Sequence, residues 1–124
     1  MIKKIIDYAI ILTLKLRGFS MDITLKRKGI DGLYVIAAGR LDLDNAVEYG
    51  SKIKEYMEDS EEPITDLTLD FAEITFISSF GLKVILELYK EIKAQNGEIK
   101  LKSVSEQLKN SFKIVGFDKF LVFE

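Results

Sequence analysis

From Met21 onward the spacing of apolar residues switches repeatedly between two and about 3.6, and that alternation restricts the chain to an α/β fold. Asp22 to Lys28 alternates, with Ile23 and Leu25 on one face, which predicts a strand. Gly29 to Gly32 carries two glycines and Asp31 and predicts a turn. Leu33 to Ala38 is a continuous apolar run with the character of a buried strand, so the first two strands form a hairpin. Asp44 is the expected N-cap of the next helix, on which Ala46, Tyr49, Ile53, Tyr56 and Met57 recur at helical spacing. The acidic stretch Glu58 to Glu62, followed by Pro63, ends that helix. Leu67 to Phe71 predicts a strand, and Phe80 to Ala94 a helix with Leu82, Ile85, Tyr89 and Ile92 on one face. Asn96-Gly97 closes that helix with a left-handed cap, and Ile99 and Leu101 belong to the next strand. Ser105 caps a third helix whose apolar face is Leu108, Phe112 and Val115. Gly116 ends it, and Phe120 to Phe123 is a last short strand. The order is β-β-α-β-α-β-α-β: a single α/β domain with a mixed, mostly parallel sheet and three or more helices. Strands joined through helices are expected to be parallel, with right-handed crossovers.

Composition removes whole classes of chemistry. The 124 residues include no Cys, which excludes disulfides, zinc thiolate sites and thiol catalysis. They include no His, so the usual general base and the commonest metal ligand are missing and a Ser-His-Asp triad cannot be assembled. A net charge of -2, with signs interspersed, offers no basic face for nucleic acid or for an anionic membrane surface. The absence of Cys fits the cytoplasm. Asp42 and Asp70 are the carboxylates that could be paired for a metal, but two groups on separate strand ends are too few ligands, and no metal or other cofactor is expected.

Residues 1–20 read differently from the rest. Lys3 and Lys4 precede the apolar run Tyr8 to Leu14, which Asp7, Lys15 and Arg17 bracket with charge. The run is too short to span a bilayer, which takes about 20 apolar residues, and no small-x-small cleavage site follows. Two readings remain for this leader. It is an extra element that packs on the domain or on a neighbouring chain, or translation starts at Met21, because Arg17-Gly18 can be encoded by a purine-rich stretch at ribosome-binding distance. The domain proper is 21–124 in either case.

The informative junction is Ile77-Ser78-Ser79-Phe80-Gly81-Leu82, where a strand gives way to a helix. Hydroxyls at a helix start cap free backbone N–H groups. The other reading is a phosphoacceptor, since a phosphate of about -1.5 to -2 charge suits the positive end of a helix.

Three segments carry a resemblance to the STAS family and, within it, to the bacterial anti-sigma-factor antagonists. The junction resembles that family's hydrophobic-Asp-Ser-Ser/Thr-Gly-Leu segment, and in register Ser79 falls on the phosphorylated serine while Gly81 and Leu82 fall on the Gly-Leu pair. Gly39-Arg40-Leu41-Asp42 resembles Gly-Glu/Asp-Leu/Ile-Asp, which places Asp42 near the phosphorylation site. Val104-Ser105 to Leu108 and Val115 to Phe120 resemble the closing segments. Ser78 stands where the family usually has Asp, and Phe80 where it has a small residue. Ser78 is therefore the alternative acceptor.

The resemblance implies a non-enzymatic switch. The unphosphorylated protein binds an anti-sigma factor, which is an ATP-dependent serine kinase, and so releases a sigma factor for transcription. Phosphorylation by that kinase breaks the complex. ATP belongs to the partner, since this chain has no Gly-rich phosphate loop. The implied partner surface comprises Asp42, Ser78, Ser79, Phe80, Gly81 and Leu82, and the chain alone is expected to be a monomer that does not insert into a membrane. The other use of the fold is as a regulatory subunit of a transporter or of a stress-sensing assembly, acting by protein binding without phosphorylation.

Overall fold

A computed structural model describes residues 21–124. The readings of the leader lie outside the described residues. Strands β1 (Asp22–Lys28) and β2 (Gly32–Leu41) form the antiparallel hairpin, with Ile23 opposite Ala37 and Leu25 opposite Val35. Gly29 turns it at φ 68°, in the left-handed region that glycine enters without strain. Strands β3 (Asp66–Ile77), β4 (Glu98–Lys102) and β5 (Val122–Phe123) follow, each parallel to its predecessor, so the sheet order is the chain order.

Helices α1 (Leu43–Asp59), α2 (Ser79–Ala94) and α3 (Glu106–Ile114) are the crossovers between β2, β3, β4 and β5. Successive right-handed crossovers that advance in one direction along a sheet leave every helix on the same face. The burial pattern agrees. Leu33, Leu67 and Ile99 are register partners and buried, as are Val35, Leu69 and Leu101 in the next row. Between those rows lie Tyr34, Thr68 and Lys100, which are half-buried on the opposite face. The helices meet the buried rows with Ala46, Tyr49 and Ile53 from α1, Ile85, Leu88 and Ile92 from α2, and Leu108 and Phe112 from α3. Burying one such aliphatic side chain stabilises the fold by roughly 1.5–3 kcal/mol.

Two strands run longer than periodicity indicates. Gly39 to Leu41, beyond the expected strand Leu33 to Ala38, is the end of β2. Strand β3 continues past Phe71 to Ile77, where two register shifts insert an extra β3 residue against Ile36–Ala38 and again against Gly39–Arg40. Each bulge breaks the alternation: after Phe71 the buried residues are Ile74 and Ile77, three apart rather than two. Asp70, read as lying at a strand end, is thus mid-strand. It accepts hydrogen bonds from the Tyr34 hydroxyl at 2.7 Å and the Ala72 N–H at 2.9 Å.

The helix ends follow sequence chemistry, with one correction. The cap of α1 is Asp42, not Asp44: the Asp42 carboxylate accepts the Asn45 N–H at 3.2 Å, and Asp44 sits in the first turn. The expected cap after α2 forms. Asn96 adopts φ 59° and donates its N–H to the Lys93 carbonyl, and the Gly97 N–H returns to the Ile92 carbonyl. Ser105 caps α3 through the Leu108 N–H, and Gly116 at φ 80° leaves it. Val115 is exposed rather than on the buried face, because α3 ends before it. The expected strand from Phe120 is two residues, Val122–Phe123, preceded by a 3-10 turn over Phe117–Lys119. Just after that turn the Phe120 ring packs at a tilt on Tyr89, centroids 4.7 Å apart, and Tyr89 is half-buried at the edge of the core.

Candidate functional site

Strands β2 and β3 end side by side, with Leu41 paired to Ile77, and each runs directly into a helix. The two helix starts therefore abut, and the junction is tied across the gap. The Ser78 N–H donates to the Leu41 carbonyl at 3.0 Å, and the Ser78 hydroxyl donates to the same oxygen at 3.0 Å. The Ser78 Oγ also accepts the Gly81 N–H at 3.1 Å, so Ser78 is the N-cap of α2. Its place in the structure is a full set of local bonds.

Ser79 differs. It is the first residue of α2, it is exposed, and its hydroxyl makes no hydrogen bond to any described residue. The N–H groups of the first helical turn lack intrahelical partners, and the Ser78 cap occupies that of Gly81. Ser79 thus combines an exposed hydroxyl, unbonded among the described residues, with a backbone setting that favours negative charge.

Gly81 makes the close approach possible. A Cβ there would lie 2.8 Å from the Leu41 carbonyl oxygen and 2.7 Å from Ile77 Cγ1. Gly81 and Leu82 are buried and seat the helix. Phe80 is half-buried, packs against the core, and carries Lys83 Nζ at 5.7 Å from its ring centroid. Asp42 adjoins Ser78 through Leu41 while its carboxylate caps α1. Of the sequence-derived site residues, the fold therefore brings Asp42, Ser78, Ser79, Phe80, Gly81 and Leu82 to one end of the sheet.

Several neighbours escape sequence reasoning. Phe76, turned outward at the second bulge, is 37% exposed, and the Arg40 guanidinium lies 4.1 Å over its ring. Leu43 and Val47 are 57% and 48% exposed on α1. Their i,i+4 spacing, offset from the buried Ala46–Tyr49–Ile53 stripe, was the available signal. Neither Arg40 nor Lys83 has a carboxylate partner among the described residues.

Elsewhere the chemistry is structural. The Tyr34 phenol is held above its ordinary value of 10.0, first by the hydrogen bond to Asp70 and then by burial. Burial pushes the Tyr49 phenol up much further, and its hydroxyl has no hydrogen-bond partner among the described residues. A cavity of roughly 250 Å³ is lined by Glu106, Lys109, Lys113, Asp118 and Phe123 and contains none of the junction residues. Among the described residues no group of three or more Asp or Glu could hold a metal ion, and no helix is long and apolar enough to cross a membrane.

The chain is similar to known proteins in sequence and in fold. The anti-sigma-B factor antagonist of Listeria monocytogenes is 27% identical over 104 residues, covering 82% of this chain and 87% of that protein. The anti-sigma-B factor antagonist of Bacillus subtilis is 30% identical over 84 residues, 68% of this chain and 73% of that one. The anti-sigma factor antagonist SpoIIAA, a Bacillus cell fate determinant, shares the fold in both of its solved forms. The unphosphorylated form superimposes with TM-score 0.66 at 18% identity, covering 82% of this chain and 86% of SpoIIAA. The phosphorylated form gives 0.65 at 19%, covering 82% and 90%. The family model described as STAS domain matches residues 24–124, from the second residue past the start of β1 to the end of the chain. With sheet order, junction and family model in agreement, the chain belongs to the STAS domain family.

Proposed function

We propose that the protein is an anti-sigma-factor antagonist switched by phosphorylation of Ser79. Unmodified, it binds an anti-sigma factor that is also a serine kinase, and so frees a sigma factor. The kinase transfers the γ-phosphoryl group of ATP to Ser79 Oγ. The O–P bond forms as the bond to ADP breaks, and the hydroxyl proton leaves to a base on the kinase. The chain itself supplies an acceptor and a docking surface and performs no catalysis. That surface comprises Ser79 and Phe80, with Phe76, Leu43 and Val47 as apolar contacts.

The observation that carries this reading is the division between the two serines. The Ser78 hydroxyl is occupied by two hydrogen bonds to backbone groups, whereas Ser79 is exposed and its hydroxyl has no hydrogen bond among the described residues. Phosphorylating Ser79 therefore breaks no bond of the fold. A partner packed on the junction meets instead a new charge, and a charge left unpaired in an interface costs several kcal/mol. Similarity to two proteins named anti-sigma-B factor antagonist supports the partner class.

The test is incubation with the sigma-regulating kinase of the same genome and ATP, followed by peptide mass spectrometry. Phosphate on Ser79, and binding weakened by Ser79→Asp, is the expected result. Phosphate on Ser78 alone shifts the site by one residue. Phosphate on neither serine, with binding unaffected by Ser79→Asp, moves the protein to the class that regulates transporters or stress assemblies by binding alone.

A further inference from the structure

We propose that a phosphate on Ser79 is held within the domain by Lys83, with Arg40 as a second cation, so that phosphorylation draws both away from the rings they cover. The inference rests on the reading of Ser79 as the phosphoacceptor.

Ser79 and Lys83 are four residues apart in α2 and share one helix face, with Cβ atoms about 6 Å apart. Helical side chains lean toward the N-terminus, so Lys83 leans back over the turn that Ser79 opens. The acid that would compete for it is engaged elsewhere: Glu87, one turn further along, is paired with Lys54 of α1 at 3.1 Å. Lys83 is left with a contact to the Phe80 ring at 5.7 Å, and Arg40 with the Phe76 ring at 4.1 Å. An exposed cation on an aromatic face is weakly held and exchanges readily for an anion. Arg40 reaches the junction from the strand end whose next residue, Leu41, is bonded to Ser78. Carboxylates at this end of the sheet include Asp42, committed as the α1 cap, Asp44 in the first turn of α1, and Glu73 of β3, which pairs with Ala38 two residues before Arg40. A dianion on Ser79 would thus have within its neighbourhood two cations that hold no carboxylate among the described residues. Capturing them makes the phosphate part of the folded surface and withdraws both cations from any partner.

The experiment uses the full chain with phosphoserine installed at position 79 during translation, so that no kinase is needed, and follows the ³¹P signal through a pH titration. An ordinary phosphoserine loses its second proton near pH 6. The clamp stabilises the dianion, so this midpoint lies below that of a phosphoserine peptide. Lys83→Gln raises it by about 0.3 unit or more, Lys83→Arg restores it, and Arg40→Gln raises it by a smaller amount. Lys90→Gln, further along α2, leaves it unchanged. A midpoint that responds to Lys83→Gln no more than to Lys90→Gln overturns the clamp while leaving Ser79 as acceptor intact. Failure of the kinase to modify Ser79 would instead sink the switch and leave this titration standing.

Discussion

Ser78 and Ser79 are chemically identical neighbours, and the backbone separates their roles. Ser78 has φ -87° and ψ 171°, the extended geometry of a cap, and its hydroxyl bridges Gly81 and Leu41. Ser78→Ala should lower stability by about 1–2 kcal/mol, through the lost cap on the Gly81 N–H and the lost hydroxyl bond to the Leu41 carbonyl, which keeps the backbone N–H of residue 78. Ser79→Ala should stay within about 0.5 kcal/mol of the parent protein, as an exposed substitution that breaks no bond. Urea titrations of both variants measure the difference, and equal losses would contradict the assignment of the cap. Tyr49 makes a second residue-scale case. Its buried hydroxyl has no hydrogen-bond partner among the described residues, so Tyr49→Phe should raise stability by about 1 kcal/mol at neutral pH. Burial raises its folded pKa above the ordinary value of 10.0, so the folded state keeps the proton after the unfolded chain has begun to lose it. Stability from this group is complete below pH 10 and declines as pH rises beyond it. The melting temperature should accordingly fall less between pH 9.5 and about 11 in Tyr49→Phe than in the parent protein, the comparison that isolates this group from the lysines.

Among the elements, the register of α2 against β2 depends on one missing side chain. Alanine is normally the better helix residue by about 1 kcal/mol. At position 81 its Cβ would press on the Leu41 carbonyl at 2.8 Å, a backbone atom that Ser78 already engages. Gly81→Ala should therefore destabilise the protein by about 1–3 kcal/mol despite its propensity, the usual range for overpacking. Calorimetry showing a stabilised variant would mean that the helix starts are not in contact. Gly50 is the contrast. A Cβ there meets Val84 Cγ1 at 2.7 Å, a side chain that can rotate, so Gly50→Ala should cost less than Gly81→Ala. The bulges of β3 act at the same scale: by adding two residues against β2 they turn Phe76 outward beside Arg40.

For the whole molecule, the sequential strand order puts α1, α2 and α3 on one face and brings the β2 and β3 exits together at one end. The proposed switch, resting on two adjacent strand-to-helix junctions, needs no cleft. The described core is drawn from Met21 to Leu121, and the family model begins at residue 24. A chain beginning at Met21 should therefore fold with a melting temperature within about 5 °C of the full chain, a difference worth about 1 kcal/mol in a domain of this size. A larger fall in thermal denaturation would assign residues 1–20 to the fold.

The order of elements, the mixed and mostly parallel sheet and the buried helix faces were legible in the sequence. Alternating and helical periods report which side of an element is buried, and Gly29, Asn96-Gly97 and Ser105 announce turns and caps by local chemistry. Ser79 was legible as a candidate through motif register. The rest depended on distant partners. Asp42 rather than Asp44 caps α1, because β2 runs on to Leu41 before the backbone turns. Ser78 rather than Ser79 is consumed at the junction, because its hydroxyl meets the carbonyl of Leu41, 37 positions earlier in the chain. The exposure of Phe76 and the seating of Arg40 on it follow from bulges that no periodicity signals, since an inserted strand residue erases the very alternation that would reveal it. Local pattern thus determined the architecture, and tertiary contact between two helix starts decided which atoms of the junction are spent on structure and which remain for chemistry.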